Sequence, residues 1–511
     1  MVLPTARSSI PRLSLLGSLI FVFLSPASAP AATYSVAGFS DTAIVTGLNQ
    51  PTDFAFLPDG RILILEKPGR VLVAPLGGGA TTVALDIIAN VDDGSEKGLL
   101  GICLHPSFAT TGWIYLYYTT NTPRNRISRF TLTGSTISSG SESIVLDNIE
   151  ATNGNHNGGT VLVGPDGKLW AAPGDSGTGA STDPPKAQDL RATSSSRFNG
   201  KVLRMELDGS PAAGNPFLAD SSKEPRIYAF GFRNPFRFSF RPSNGSLYVG
   251  DVGSAGTQDR EEVDVVIAGG NYGWPWAEGS TIYTPPCTGC LPPAFDYTRA
   301  TGTTIIGGVF VTGNAHPAFL QGKYVLGDNG SSWIKYLEFD ANNAAVGGLH
   351  DLATSAEGPV SFHQGPDGYL YYAAINTGRI YRIQYGKNFH TVTPCRILDT
   401  RDPAGPWGGP ALAAGADRTF VIAGRCGIPA TARAVSVNLT VTGPTDFGHL
   451  VVFPAGGVVL ATTSAINFRP GQTRANNAIV TLGAAGDIVV RTGMASGGVQ
   501  FILDVDGYFD D

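Results

Sequence analysis

Apolar residues in this chain fall in short runs of β-branched and aromatic side chains, at 62–65, 369–374, WIYLYYT from Trp113 and GKYVLGD from Gly322, punctuated by turn residues. Such runs bounded by Asp-Gly and Asn-Gly read as strands joined by tight hairpins, because those dipeptides supply the positive φ that the turns need. Two stretches nearly repeat each other, LPDGRILILEKPGRVLV from Leu57 and GPDGYLYYAAINTGRIYRI from Gly365. Looser copies are GPDGKLWAAPGDSG from Gly164 and RPSNGSLYVGDVG from Arg241. One strand–turn–strand piece is therefore stacked many times.

Counting the copies and the strands between them yields about six units over roughly 350 residues, the size of a six-bladed β-propeller. The likeness of the last copy to the first predicts that the chain from Phe39 onward and the chain from Arg379 to Tyr385 meet in one sheet and close the ring. A sandwich or a solenoid is the competing architecture. After Tyr385 the character changes, and Thr, Val and Ala alternate in AVSVNLTV and NAIVTL before the closing FILDVDGYF. Strand runs every ten or so residues fit a β-sandwich. The expected fold is all-β, a six-bladed propeller over 35–387 and a smaller β-sandwich over 388–511, with the boundary near Lys387.

Composition supports this reading. Apolar residues make up 42% and charged residues 15%, with 66 Gly and 35 Pro, which favours strands and turns because Gly and Pro are penalised inside helices. A net charge of −6 without a basic stripe excludes nucleic acid and an anionic membrane surface as partners. At the N-terminus Arg7 and Arg12 precede the apolar run LSLLGSLIFVFL and then SPASAPAA, with Ala29 and Ala31 at signal-peptidase spacing. Residues 1–31 read as an export signal, no later run is long enough to span a bilayer, and the mature protein is expected to be secreted or periplasmic. In that oxidising setting Cys287 and Cys290 are expected to close a tight loop and Cys395 and Cys426 to staple a second region, leaving Cys103 unpaired. A CxxC also suits zinc or thiol exchange, but there is no second CxxC and no neighbouring His.

The candidate chemistry begins at NHNGGTVLVGPDGKLWAAPGD. His156 is one of seven histidines, flanked by Gly154, Gly158 and Gly159, and is placed to take a proton near neutral pH; a solvated loop histidine is the plain alternative. If the strands after it form a hairpin, Asp175 returns to the same end. GSEKGLLG offers Glu96, and GFRNPFRF offers Arg233 and Asn234 before Pro235, among Phe230, Phe232, Phe236 and Phe238. GDVGSAGTQDREEVD offers Asp251, Glu261 and Glu262 in a Gly-rich loop suited to a hard cation such as calcium. Taken singly, each of these reads more readily as a solvated charge or a turn residue.

GLLGICLHPSF, NHNGGTVLVGPDGKLWAAPGD, GKVLRMELDGS, GFRNPFRF and EEVDVVIAGGNYGWP occur in that order, and together they resemble the soluble PQQ-dependent glucose/sorbosone dehydrogenase family, over roughly Gln50 to Arg382. The resemblance implies a six-bladed propeller with the quinone in its central channel. It makes His156 the base that takes the anomeric proton while hydride passes to the quinone, and Asp175 the acid that orients it. It makes Arg233 and Asn234 the pair that contacts the quinone and stabilises its developing charge, with Glu96 beside the cofactor. It places a calcium on the carbonyls of Gly253 and Ser254 and a second, structural calcium at Glu262 and Tyr272.

The sequence departs from that pattern where the family holds the cofactor's carboxylates. YVLGDNGSSW and EGPVSFHQGPDG put Asp328, Asn329, Gly358 and Val360 where a lysine and two arginines are expected, with Lys323 and His363 as the nearest substitutes. Those forms resemble the hedgehog-interacting-like branch. The calcium loop is longer than the family's and lacks its usual proline. The expected function is an exported quinoprotein oxidising a small-molecule aldose at C1 to a lactone with PQQ and calcium, passing electrons to an external acceptor. A non-catalytic propeller binding carbohydrate or a protein partner is the alternative, and a lactonase-like hydrolase the third. The tail resembles β-sandwich modules of secreted bacterial proteins, through PCRILDTR, CGIP and DVDGYF, which suggests a structural or cell-surface role.

Overall fold

The structure is a computed structural model that describes residues 32–510 apart from 178, 180, 183, 257, 258, 283–286, 387 and 458–462. The export signal and the boundary residue Lys387 lie outside the described residues. Among the described residues helix is nearly absent, the one α-helical turn being Phe108–Thr111. Among the described residues no helix is long and apolar enough to cross a membrane.

Six antiparallel blades follow one another along the chain, four of them four-stranded and the second and fifth five-stranded. Their innermost strands are Pro51–Phe56, Leu99–Leu104, Thr160–Val163, Pro235–Phe240, Ile305–Phe310 and Pro359–Gln364. Each innermost strand neighbours the next, and the sixth neighbours the first, so the ring is closed. Closure is completed as the repeats imply, because Phe39–Val45 adds the outer strand of the sixth blade in register Phe39↔Tyr385. Such radial packing leaves few free sheet edges. Six apolar clusters lie between consecutive blades, and a seventh fills the C-terminal sandwich.

The repeated PDG and SNG stretches all mark the same turn, from the innermost strand of a blade to the second. In each, the first residue's N–H reaches the carbonyl beyond the turn, as Leu57 to Arg61 at 2.8 Å, Gly164 to Lys168 at 2.9 Å and Gly365 to Tyr369 at 2.8 Å. The Asp59, Asp166, Asp367 and Asn244 side chains accept a backbone N–H two residues on, which is why Asp and Asn recur there.

Five of the six innermost strands share a second feature that no local pattern announces. A register shift follows their first residue and leaves Thr52, Leu100, Phe236, Ile306 and Val360 as bulged positions; the third blade pairs without one. A bulge unpairs a residue and re-aims its side chain. Here all five positions line one axial well.

The C-terminal region forms two packed antiparallel sheets. One is Asn388–Asp399, Gly498–Asp510, Ala432–Thr442 and Arg474–Thr481, joined by Leu412–Ala413. The other is Asp417–Val421, Asp487–Thr492, Gly448–Pro454 and Ile466–Phe468. Disulfides join Cys287 to Cys290 and Cys395 to Cys426, and Cys103 is a buried free thiol.

Candidate active site in the axial well

The five bulged side chains floor a well of about 450 Å³ at the N-terminal ends of the innermost strands. Unpairing those residues frees their carbonyls, and a single guanidinium collects three of them. Arg237 Nη2 donates to Thr52 O at 2.8 Å and to Leu100 O at 2.9 Å, and its Nε donates to Val360 O at 3.1 Å. Arg237 is buried and ties blades one, two and six to its own blade four. Buried carbonyls without such a donor would carry a full desolvation penalty.

His156 stands on the rim, four residues before the innermost strand of blade three, with φ of +56°. Few non-glycine residues adopt that conformation, and Gly158, at φ +62°, continues it. The hairpin register Thr160↔Ala172 brings Asp175 back to the same end, as the sequence predicts. His156 Nδ1 and Asp175 Oδ1 are 2.6 Å apart. A carboxylate accepting Nδ1–H leaves the Nε2 lone pair as the basic position of the ring.

Asp175 is fully buried and held on every side. Oδ1 also accepts the Gly177 N–H at 2.7 Å, and Oδ2 accepts Gly179 N–H at 3.0 Å and the Trp274 indole N–H at 2.8 Å. Burial opposes its ionisation, but the His156 hydrogen bond and charge, with Trp274 and Gly177, hold its carboxyl below the ordinary value.

The other predicted cofactor contacts converge on the same rim. Glu96 Oε2 accepts the His156 backbone N–H at 2.6 Å. Asn234 Oδ1 accepts Gly158 N–H at 3.0 Å, and its amide lies 3.5 Å from Glu96 Oε2. Arg233 donates to Val252 O at 2.8 Å and stacks 5.4 Å from the Trp274 ring. The N–H groups of Arg233 and Asn234 both point to Asp251, at 2.9 and 2.6 Å. His156, Asp175, Glu96, Arg233 and Asn234 thus belong to one hydrogen-bonded network.

The expected substitutes for the missing clamp are elsewhere. Lys323 pairs with Glu338, and His363 Nε2 is 2.7 Å from buried Asp53, so neither lines the well. Asp328 accepts from Tyr297 and Thr304 at 3.0 and 2.8 Å, while Asn329 and Val360 line the cavity without charge. The positive charge comes from other blades. Lys67, in the hairpin between Arg61–Glu66 and Arg70–Pro75, and Arg299, just after Phe295–Thr298, face the well with Arg233, against the single carboxylate of Glu96. Lys67 crosses the chain at Gly98, where a Cβ would meet its Cγ at 2.7 Å. Sequence reasoning missed both cations and Trp274; the signals were present, Lys67 in the first repeat and Trp274 in NYGWP, but nothing local assigns them to the axis.

The cation expectation divides in two. Glu262 pairs in register with Asp251, and Asp264 shares their face two residues on; one oxygen of each lies within 4.8 Å of the others. All three are buried, and neither oxygen of Asp264 has a hydrogen-bond partner. Burial pushes all three carboxyls up, first of all, and nearby carboxylates add to it: Asp264 and Asp251 against Glu262, Asp251 against Asp264, and Glu278 against Asp251. Buried carboxylates of this kind fit a hard divalent cation. Tyr272 stays outside the cluster, its hydroxyl donating to Val265 O at 2.7 Å. Toward the well, the Ser254 carbonyl already accepts Arg299 Nη1 at 2.7 Å.

Fold and well together define a propeller protein with a cation-lined axial cavity and an imidazole–carboxylate pair on its rim. The glucose/sorbosone dehydrogenase family model matches residues 48–382, and the chain belongs to that family. It is 31% identical over 262 residues to quinoprotein glucose dehydrogenase B of Acinetobacter calcoaceticus, spanning 47% of this chain and 53% of that one. It is 30% identical over 220 residues to the human Hedgehog-interacting protein, spanning 38% of this chain and 30% of that one. The chain thus spans about half, or less, of these relatives' lengths. Among solved structures, the PQQ-bound aldose sugar dehydrogenase of Streptomyces coelicolor superposes with a TM-score of 0.55 at 26% identity, over 70% of this chain and 99% of that one. The family's glucose and aldose dehydrogenases support a sugar oxidoreductase function in general terms.

Proposed function

We propose that this protein is an exported quinoprotein that oxidises an aldose at C1 to the lactone. The observation that carries this is the His156–Asp175 pair, 2.6 Å apart, on the rim of a well lined by Lys67, Arg233 and Arg299. That lining fits a flat polyanion, with Leu100, Phe236, Ile306 and Val360 as apolar walls and cations for its carboxylates. PQQ, when bound, supplies the hydride acceptor, and an external acceptor takes the electrons onward.

The residues of the chain supply the rest. His156 Nε2 takes the proton from the anomeric hydroxyl, and Asp175 steadies the imidazolium that forms. Arg233 and Asn234 would hold the cofactor, with Glu96 fixing the rim through His156 N–H. Asp251, Glu262 and Asp264 hold a structural calcium. Residues 388–511 form a separate module with a structural or surface-association role.

Incubating the purified mature protein with PQQ and calcium should produce aldose-dependent reduction of an artificial dye. Absence of PQQ binding at micromolar concentration would leave the second reading, a binding propeller without catalysis. That reading draws support from the Hedgehog-interacting relatives and from the uncharged Asn329 and Val360 in the well.

A further inference from the structure

The resemblance puts a metal ion at the carbonyls of Gly253 and Ser254, beside the cofactor, and the structure puts a side chain there. Arg299 Nη1 lies 2.7 Å from Ser254 O and 2.8 Å from Glu261 Oε1. Glu261 is fully buried, and its other oxygen accepts the Ile305 N–H at 2.9 Å, so the guanidinium is pinned from behind. Both recorded bonds of Arg299 use one nitrogen, which leaves the rest of the planar fork for a ligand in the well that it lines.

A divalent ion on Ser254 O would compete with that guanidinium for the same lone pairs and be repelled by its charge. Lys67 and Arg233 add two more positive groups to the same cavity. The carboxylate cluster of Asp251, Glu262 and Asp264 does not line the well.

We propose that Arg299 is a built-in cation standing where a metal is expected, so that this protein binds its polycarboxylate quinone through Arg299 and Lys67 with no metal ion in the well. This rests on the quinone reading above and departs from it in the metal alone. The planar fork suits a carboxylate or a quinone oxygen better than a lysine does.

Equilibrium dialysis of the mature protein against calcium, with and without saturating PQQ, tests it. The expected result is the same calcium stoichiometry in both. One additional calcium ion per chain taken up with PQQ would overturn the inference while leaving the quinone reading intact. In parallel, PQQ binding measured by quenching of tryptophan fluorescence should weaken at least tenfold in Arg299→Gln and by a smaller factor in Arg299→Lys, which keeps the charge and loses the fork. An Arg299→Gln protein with wild-type affinity and an unchanged melting temperature would also overturn it. Failure of the wild-type protein to bind PQQ at all removes the quinone reading itself, and this inference with it.

Discussion

Trp274 donates its indole N–H to Asp175 Oδ2 at 2.8 Å, across from the oxygen that holds His156. Trp274 comes from blade four and Asp175 from blade three, so an inter-blade contact orients the proposed base. In Trp274→Phe the ring volume is mostly kept and this bond is lost. Asp175 is then less stabilised as a carboxylate and keeps its proton to higher pH. We expect turnover to fall roughly tenfold, as for loss of one charge-assisted bond, and the acid limb of the rate profile to move upward in pH. An unchanged profile would show that Trp274 only packs.

His156→Asn isolates the base, because Asn tolerates the positive φ that His156 adopts. Turnover with an aldose should drop by about 100-fold or more, the usual worth of general base catalysis. Melting temperature should stay within a few degrees of wild type. Dye reduction at the wild-type rate would falsify the assignment.

The Asp251–Glu262–Asp264 cluster predicts a calcium-dependent response to pH. Each carboxyl is raised in the folded protein, so between the ordinary carboxylate value and the raised one the folded state holds more protons than the unfolded chain. Stability therefore falls as pH rises through that window. In EDTA the melting temperature should be lower at pH 8 than at pH 5, and calcium should remove most of the difference. Asp264→Asn should flatten the response in EDTA, since it deletes one of the three charges. Identical melting curves at both pH values in EDTA would count against the cluster as a cation site.

Arg237→Met removes the donor shared by the Thr52, Leu100 and Val360 carbonyls and leaves them buried and unpaired. The expected cost is about 3 kcal/mol or more, the scale for breaking a buried charged network. Urea denaturation followed by tryptophan fluorescence measures it. A loss below about 1 kcal/mol would mean that water takes over those carbonyls.

Much of this architecture was legible in the sequence because its signals are local. Asp-Gly and Asn-Gly turns, with the Asx hydrogen bonds they form, announce the hairpins at Asp59, Asp166, Asn244 and Asp367. The likeness of the first and last repeats marks the ring closure that pairs Phe39 with Tyr385. His156 and Asp175 were linked by one hairpin, whose register follows from strand length alone.

What tertiary structure decided is what the axis gathers from separate blades. The absent clamp at Asn329 and Val360 was visible in the sequence, but the cations that face the well instead are Lys67 and Arg299, over 200 residues apart in the chain. The bulges at five positions that line the well, the guanidinium of Arg237 that collects three of their carbonyls, and the union of Asp264 with Asp251 and Glu262 likewise escape any local pattern. Turn chemistry and strand alternation act within a few residues and so can be read along the chain, whereas the charge inside a closed ring depends on which side chains point at its centre, and only the closing of the ring sets that.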